Sequence, residues 1–177
     1  VLPDVINRGV AWLKTHQAVE LEKLREGDRR RKAGNQSDKR RQPYRMQAAN
    51  MDALVAWVLS EHDGNDVAIT DYLYRDRLKL SVYGMCLSGL VLDTQQLHDR
   101  RDMILRNIEQ NLQQDNENQT AWLKLPGSSW WQWYGSENEA HSMYLRLLLK
   151  VRPEDEIASR VVKYLLNNRR AAGHWSS

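Results

Sequence analysis

The sequence has few of the residues that close disulfide frameworks, cross membranes or direct export. It holds one cysteine in 177 residues, which excludes an internal disulfide framework and a cysteine-based metal site. The longest unbroken apolar run covers only residues 53–59, whereas a membrane-spanning helix needs about 20 such residues. No signal peptide opens the chain, which begins on Val1 rather than Met. We therefore expect a water-soluble domain that belongs to a longer protein, without direct membrane insertion.

Catalytic signatures are also scarce. No Gly-x-Ser-x-Gly, Walker or dinucleotide-binding motif occurs, and the five histidines form no pair at helical ligand spacing. Asp71 and Asp76 are isolated, unlike the clustered aspartates of terpene cyclases. We therefore predict no catalytic residues, no cofactor and no metal. Paired carboxylates of a helical-barrel glycosidase leave no sequence signature, so a carbohydrate- or lipid-active enzyme stays open as an alternative, as does an interaction scaffold.

The charge is unevenly spread. The net charge is +3, yet between Arg25 and Arg45 nine basic residues face only three acidic ones. Gly34, Ser37 and Pro43 break this segment, and it contains almost no apolar residues. This composition predicts a mobile basic loop over residues 28–45. Because no aromatic residue is interleaved before Tyr44, we expect a solvated loop and no nucleic-acid partner.

Apolar spacing predicts helices over most of the chain. The first helix, over about residues 3–25, carries one stripe at three- and four-residue intervals. Further helices are predicted over about residues 46–61, 67–77, 81–92, 95–114 and 137–151, and a seventh ends near residue 168. The stripe of the first helix consists of Ile6, Val10, Leu13, Gln17, Leu21 and Leu24.

A change of period interrupts these helices. Two aromatic-rich arms flank the segment 126–129, which predicts a β-hairpin near residues 120–134. Its aromatic side chains could line a sugar cleft, but packing within the hairpin is the favoured interpretation. Ser136 and Glu139 then form a capping box for the sixth helix. Those aromatic residues are Trp122, Trp130, Trp131, Trp133 and Tyr134.

The second, fourth and sixth helices are apolar on nearly every side, whereas the first, fifth and seventh are amphipathic. Such alternation is typical of helical hairpins in which an outer ring covers an inner one. The fold class predicted is therefore all-α, an α/α toroid or partial helical barrel of about seven helices with one small hairpin. An irregular α-solenoid would give a similar pattern. The whole of 1–177 is predicted as one such domain.

The C-terminal segment resembles the glutamine-tryptophan repeat of α/α toroid proteins. Tyr164 and Leu165 match its aromatic-aliphatic pair, and Gly173 and Trp175 match its closing Gly-x-Trp. The segment departs from that repeat at Arg169, where glutamine is usual. In this interpretation the pair anchors the helix, and the glycine lets the chain turn so that the tryptophan packs on its end.

Three further segments resemble the thioester domain of bacterial alpha-2-macroglobulin-like proteins. The aromatic run 130–134 is followed by Gly-Ser136 and then Glu139, and residues 74–84 resemble an Arg/Asp-rich turn into a helix. The terminal residues 173–177 resemble the start of a Gly-x-Trp-Gly-Ser-Thr-type segment. The family's Cys-x-Glu-Gln thioester motif is missing, and Cys86 precedes Leu-Ser-Gly instead.

The resemblance implies a non-catalytic structural domain of a broad-spectrum endopeptidase inhibitor, or protease trap. Its partners would be neighbouring domains of the parent protein and, through the whole protein, the target proteases. It also implies a periplasmic, cell-envelope or extracellular location.

Overall fold

The computed structural model of the protein describes residues 2–33, 43–62, 67–125 and 137–169. Within these ranges the chain forms seven α-helices and one two-stranded antiparallel hairpin, so the predicted all-α fold with one hairpin is confirmed. A single turn of 3-10 helix, Arg77–Lys79, follows the third helix. The elements in chain order are α1 (Leu2–Ala33), α2 (Asn50–Ser60), α3 (Val67–Arg75), α4 (Val82–Thr94), α5 (His98–Glu109), β1 (Leu112–Asp115), β2 (Thr120–Leu123), α6 (Glu137–Val151) and α7 (Glu156–Asn167).

The helices pack around α4. Helix α4 contacts α2, α5 and α6 most extensively, and it also contacts α3. Helix α1 packs on α2 and α3, and α7 packs on α6 and on β2. Arg100 of α5 binds Asp71 of α3 at 2.5 Å.

Helix α4 is the centre of the core. Its N-cap residue, Ser81, accepts a hydrogen bond from the Gly84 amide at 3.1 Å, which satisfies a free amide of the first turn. Almost every following side chain, from Met85 to Leu92, is buried. A Cβ atom on Gly89 would lie 2.8 Å from Leu147 of α6, so glycine permits the close approach of these two helices. The predicted all-round apolar character is thus confirmed for α4.

Helix α6 departs from that prediction. Its buried face includes Tyr144 and Leu147, but Glu139, Arg146 and Lys150 are exposed. The helix is therefore amphipathic, because no further layer covers its outer face in the part of the chain that the structure describes.

Helix α1 is longer than its apolar stripe predicted. It continues through Ala33, so the predicted loop over residues 28–45 is wrong for residues 28–33. The basic side chains here are paired along the helix: Arg30 bonds to Glu26 at 2.9 Å, and Arg29 reaches Glu22 at 2.7 Å. Such pairs stabilise a helix that apolar spacing alone would end earlier. Residues 34–42 of the predicted loop lie outside the described ranges.

The hairpin lies upstream of its predicted position. Strand β2 falls in the first predicted arm, but it pairs with β1, from Leu112 opposite Leu123 to Asp115 opposite Thr120. The turn forms because the Asp115 carboxylate accepts hydrogen bonds from the amides of Glu117 and Asn118 at 2.9 and 3.1 Å. The predicted fifth helix therefore ends earlier, and the predicted second arm lies outside the described ranges.

Candidate interaction surface

The first half of α1 exposes large apolar side chains, whereas its second half is packed. Leu2 and Trp12 are 70% and 64% exposed, and Val5, Ile6 and Val19 are also exposed. An isolated exposed apolar residue is ordinary on a protein surface, but five on one helix form a patch. This half of α1 is the principal candidate for a functional surface.

One face of this half of α1 follows a coiled-coil spacing. Positions 2, 5, 9, 12, 16 and 19 alternate at three- and four-residue intervals, which places them on that face. Trp12 and His16 stack there with ring centroids 5.2 Å apart. A Cβ atom on Gly9 would meet nothing within 4 Å, so this face is open between Val5 and Trp12. We name this face the outer seam, and it consists of Leu2, Val5, Gly9, Trp12, His16 and Val19.

The outer seam differs from the stripe that was predicted to face the core. Of that stripe, Gln17, Leu21 and Leu24 are buried, whereas Ile6 is exposed. The buried part of α1 packs on α2 and α3. The predicted stripe therefore contributes to the core only in the second half of the helix, and the first half carries two adjoining apolar faces.

An ionic network fixes the second half of α1. The Arg45 guanidinium bonds to Glu20 at 2.7 Å and to both oxygens of Asp52, at 2.9 and 2.6 Å. Asp52 is buried and also accepts the Ala49 amide at 2.6 Å, so the charge has a full set of donors. Arg45 also donates its amide to the Lys23 carbonyl at 3.0 Å. The segment after residue 42 is thereby attached to both α1 and α2.

A second set of polar contacts attaches the end of α1 to α3 and to the segment before α2. Arg75 of α3 binds Asp28 of α1 at 2.8 Å and Asp76 at 2.7 Å. Burial raises the pKa of Asp76, but hydrogen bonds from Arg75 and the Ala48 amide more than offset this and lower it below its usual value. The Arg31 side chain donates to the Met46 carbonyl at 3.0 Å. The described basic residues thus serve contacts inside the domain.

A second cluster holds the hairpin against α6 and α7. His141 of α6 is fully buried, and its Nε2 accepts a hydrogen bond from the Leu123 amide at 2.8 Å. Its Nδ1 lies 2.6 Å from the Glu137 carbonyl oxygen. The Tyr164 ring lies 4.9 Å from the His141 ring and stacks on Trp122 of β2 at 5.8 Å. No spacing signal in the sequence predicts this contact, because His141 and Leu123 belong to different elements.

The structure places the predicted motif residues as follows. Tyr164 packs in this cluster and donates its hydroxyl to Glu137 at 2.7 Å, and burial together with this bond raises its pKa to about 12. Leu165 packs against the core, as the aromatic-aliphatic pair predicts. Glu139 lies in the first turn of α6. The other predicted motif residues, Trp130, Trp131, Trp133, Ser136, Gly173 and Trp175, lie outside the described ranges.

The described residues also bear on three other possible features: a metal site, a reactive thiol and a membrane-spanning helix. Among those residues, no group of three or more His, Cys, Asp or Glu side chains could hold a metal ion. Cys86 is buried in α4, and burial raises the pKa of its thiol, so the side chain packs as a small apolar group. None of the described helices combines the length and apolarity that a membrane crossing requires.

The described residues form a mostly helical domain in which the first half of α1 exposes an apolar face. Compared with protein-family models, with curated proteins and with solved structures, the chain matches none. The resemblance to alpha-2-macroglobulin-like proteins therefore depends on the sequence segments named above.

Proposed function

We propose that this chain is a non-catalytic helical domain of an alpha-2-macroglobulin-like endopeptidase inhibitor, and that it docks other parts of that protein through the outer seam. The observation that carries the docking role is the exposed apolar face of α1 from Leu2 to Val19. The resemblance of the C-terminal and aromatic segments supplies the family, and the mostly helical fold with one hairpin is compatible with it.

The spacing of the outer seam favours a helix as the docked element. Within the outer seam, Leu2, Val5, Trp12 and Val19 present apolar knobs that fit between the side chains of a second helix, and Gly9 and His16 complete the three- and four-residue spacing. Gly9 leaves room for a side chain of that helix to approach the α1 backbone. Fully burying an apolar side chain contributes about 1.5–3 kcal/mol, so Leu2 and Trp12 would supply most of the stabilisation. The partner is therefore an amphipathic helix of a neighbouring part of the parent protein.

The rest of the domain supports a rigid, non-catalytic role. The ionic network around Arg45 and the histidine contact of the hairpin attach the loops to the helices. Within the whole inhibitor, such a domain would hold its neighbouring domains in place while the assembled protein captures the target protease. A periplasmic, cell-envelope or extracellular location belongs to the same proposal.

The test uses the parent protein expressed from its complete reading frame. We expect Trp12→Glu to lower capture of a target protease, measured as protease that co-migrates with the inhibitor, by about tenfold or more, which corresponds to about 1.4 kcal/mol. Ala11→Glu is the matched control, because Ala11 is an exposed neighbour outside the outer seam and the change adds the same charge. Its capture should stay within about twofold of wild type.

A second measurement separates docking from folding. In the 177-residue chain alone, neither substitution should change the free energy of unfolding by more than about 0.5 kcal/mol, since both side chains are exposed. Equal capture by Trp12→Glu and wild type would refute the docking role. A wild-type parent that captures no protease would refute the inhibitor assignment.

A further inference from the structure

We propose that the contact between His141 and the hairpin is an acid-sensitive latch, which holds β2 against α6 and α7 only while the imidazole is uncharged. This proposal is independent of the proposed function. It derives from the two hydrogen bonds of His141, its burial and the arrangement of β2 between two helices.

The hydrogen bonds fix the protonation state of the ring. The Glu137 carbonyl oxygen, 2.6 Å from Nδ1, can only accept, so Nδ1 must carry the proton. The Leu123 amide, 2.8 Å from Nε2, can only donate, so Nε2 must be unprotonated. Both bonds form together only in the neutral ring. Protonation would place an N–H group at Nε2 directly against the Leu123 N–H group, and the bond to β2 would be lost.

Among the described residues, those that face the ring offer little compensation for a charge on it. On α6 the facing group is Glu137, whose carboxylate accepts the Tyr164 hydroxyl at 2.7 Å. On α7 it is Tyr164, which is neutral near physiological pH because its pKa is raised to about 12. Strand β2 contributes no titratable side chain, and Lys124 beyond it is exposed. Burial lowers the pKa of His141, and Glu137 offsets only part of this change.

The hairpin depends on such a contact because it is small. Two strands of four residues each are marginally stable without further packing. Leu123 and Ala121 are buried, and β2 packs closely on α7. The Leu123 bond to His141 links the strand to α6, so its loss would loosen β2 from that helix.

The way in which the stabilising contribution of the latch changes with pH follows from the lowered pKa of His141. The unfolded chain takes up the histidine proton near pH 6.5, its usual pKa, whereas the folded chain resists it. The latch therefore contributes fully above about pH 6.5, and its contribution falls as the pH decreases below that value toward the pKa of the folded state.

Amide hydrogen exchange, resolved at Leu123 by NMR on the whole chain, tests the latch. After correction for intrinsic exchange, we expect protection at Leu123 to fall about tenfold or more between about pH 7.5 and about pH 5 in wild type. His141→Gln is the matched variant, because its amide oxygen can accept the same bond without titrating. Its Leu123 protection should be independent of pH over that range.

Either of two results would overturn the proposal: constant protection at Leu123 in wild type, or an equal fall in His141→Gln. Should the variant not fold, the imidazole of wild type is titrated by NMR. A ring that is neutral and protonated on Nδ1, with a pKa below 6.5, supports the latch, and a higher pKa or the other tautomer refutes it.

Discussion

Replacing Gly27 by alanine tests how α1 is attached to the rest of the domain. A Cβ atom at this position would lie far inside van der Waals contact of the Arg45 carbonyl oxygen and 2.9 Å from its carbonyl carbon. Both neighbouring atoms belong to the backbone, so no side-chain rotation can relieve the overlap. The segment around Arg45 would have to move away from the helix.

That movement has a cost that the structure allows to be estimated. Overpacking of this kind costs about 1–3 kcal/mol. Displacing Arg45 also strains the hydrogen bond from its backbone amide to the Lys23 carbonyl and the hydrogen bonds from its guanidinium to Asp52. A neutral hydrogen bond contributes about 1 kcal/mol, and one to a charged group contributes more. The higher helix propensity of alanine offsets about 1 kcal/mol. We expect Gly27→Ala to lower the free energy of unfolding by about 2–4 kcal/mol.

Gly9→Ala is the matched control, because it makes the same chemical change in the same helix where a Cβ atom would meet nothing within 4 Å. It should raise the free energy of unfolding by up to about 1 kcal/mol. Urea unfolding followed by far-UV circular dichroism measures both variants, with the free energy obtained by linear extrapolation. A Gly27→Ala protein as stable as wild type would refute the reasoning, since the close approach would then be absent in solution.

Two further substitutions test the polar contacts of the core. Asp52→Asn removes the charge that pairs with the half-buried Arg45, and it should lower the free energy of unfolding by about 2–4 kcal/mol. Its control, Asp71→Asn, changes an exposed pair with Arg100 and should lower it by less than about 1 kcal/mol. Equal losses in a urea titration would contradict the assigned network. Ser81→Ala removes the N-cap of α4 and should lower the midpoint of thermal unfolding by an amount equivalent to about 1 kcal/mol. Its control, Ser142→Ala, changes an exposed serine and should leave the midpoint nearly unchanged. Equal midpoints for the two variants would contradict the cap assignment.

Some elements were predictable because their signals are local. Helix α6 spans Glu137–Val151, the range predicted from its apolar spacing. The hairpin lies upstream of its predicted range although it has a local signal: Asp115, Asn116 and Asn118 are typical turn residues, and the carboxylate of the first organises the turn. Pro-Gly at residues 126–127 is the more conspicuous turn signal, and it predicts a turn further along the chain.

The contacts of the candidate sites were not local, so spacing could not reveal them. His141 and Leu123 are 18 residues apart, and only the packing of β2 on α6 brings the ring to the strand amide. Arg45 and Glu20 are likewise 25 residues apart. Composition predicts that a charged residue is solvated when its segment is dominated by one sign of charge. In the structure, acidic residues of other elements pair with such a residue.

The sequence by itself determined that this chain is helical and that its fourth helix is apolar on nearly every side, because periodicity and apolar content act within one element. On α1 it predicted a single apolar stripe from Ile6 to Leu24. Only the tertiary structure decided that this stripe is buried at Leu21 and Leu24, whereas Ile6 and Trp12 in the first half of the helix are exposed. A helix has one side against its neighbours, and the position of those neighbours, set by long-range contacts such as Arg45 with Asp52, selects which stripe loses contact with water.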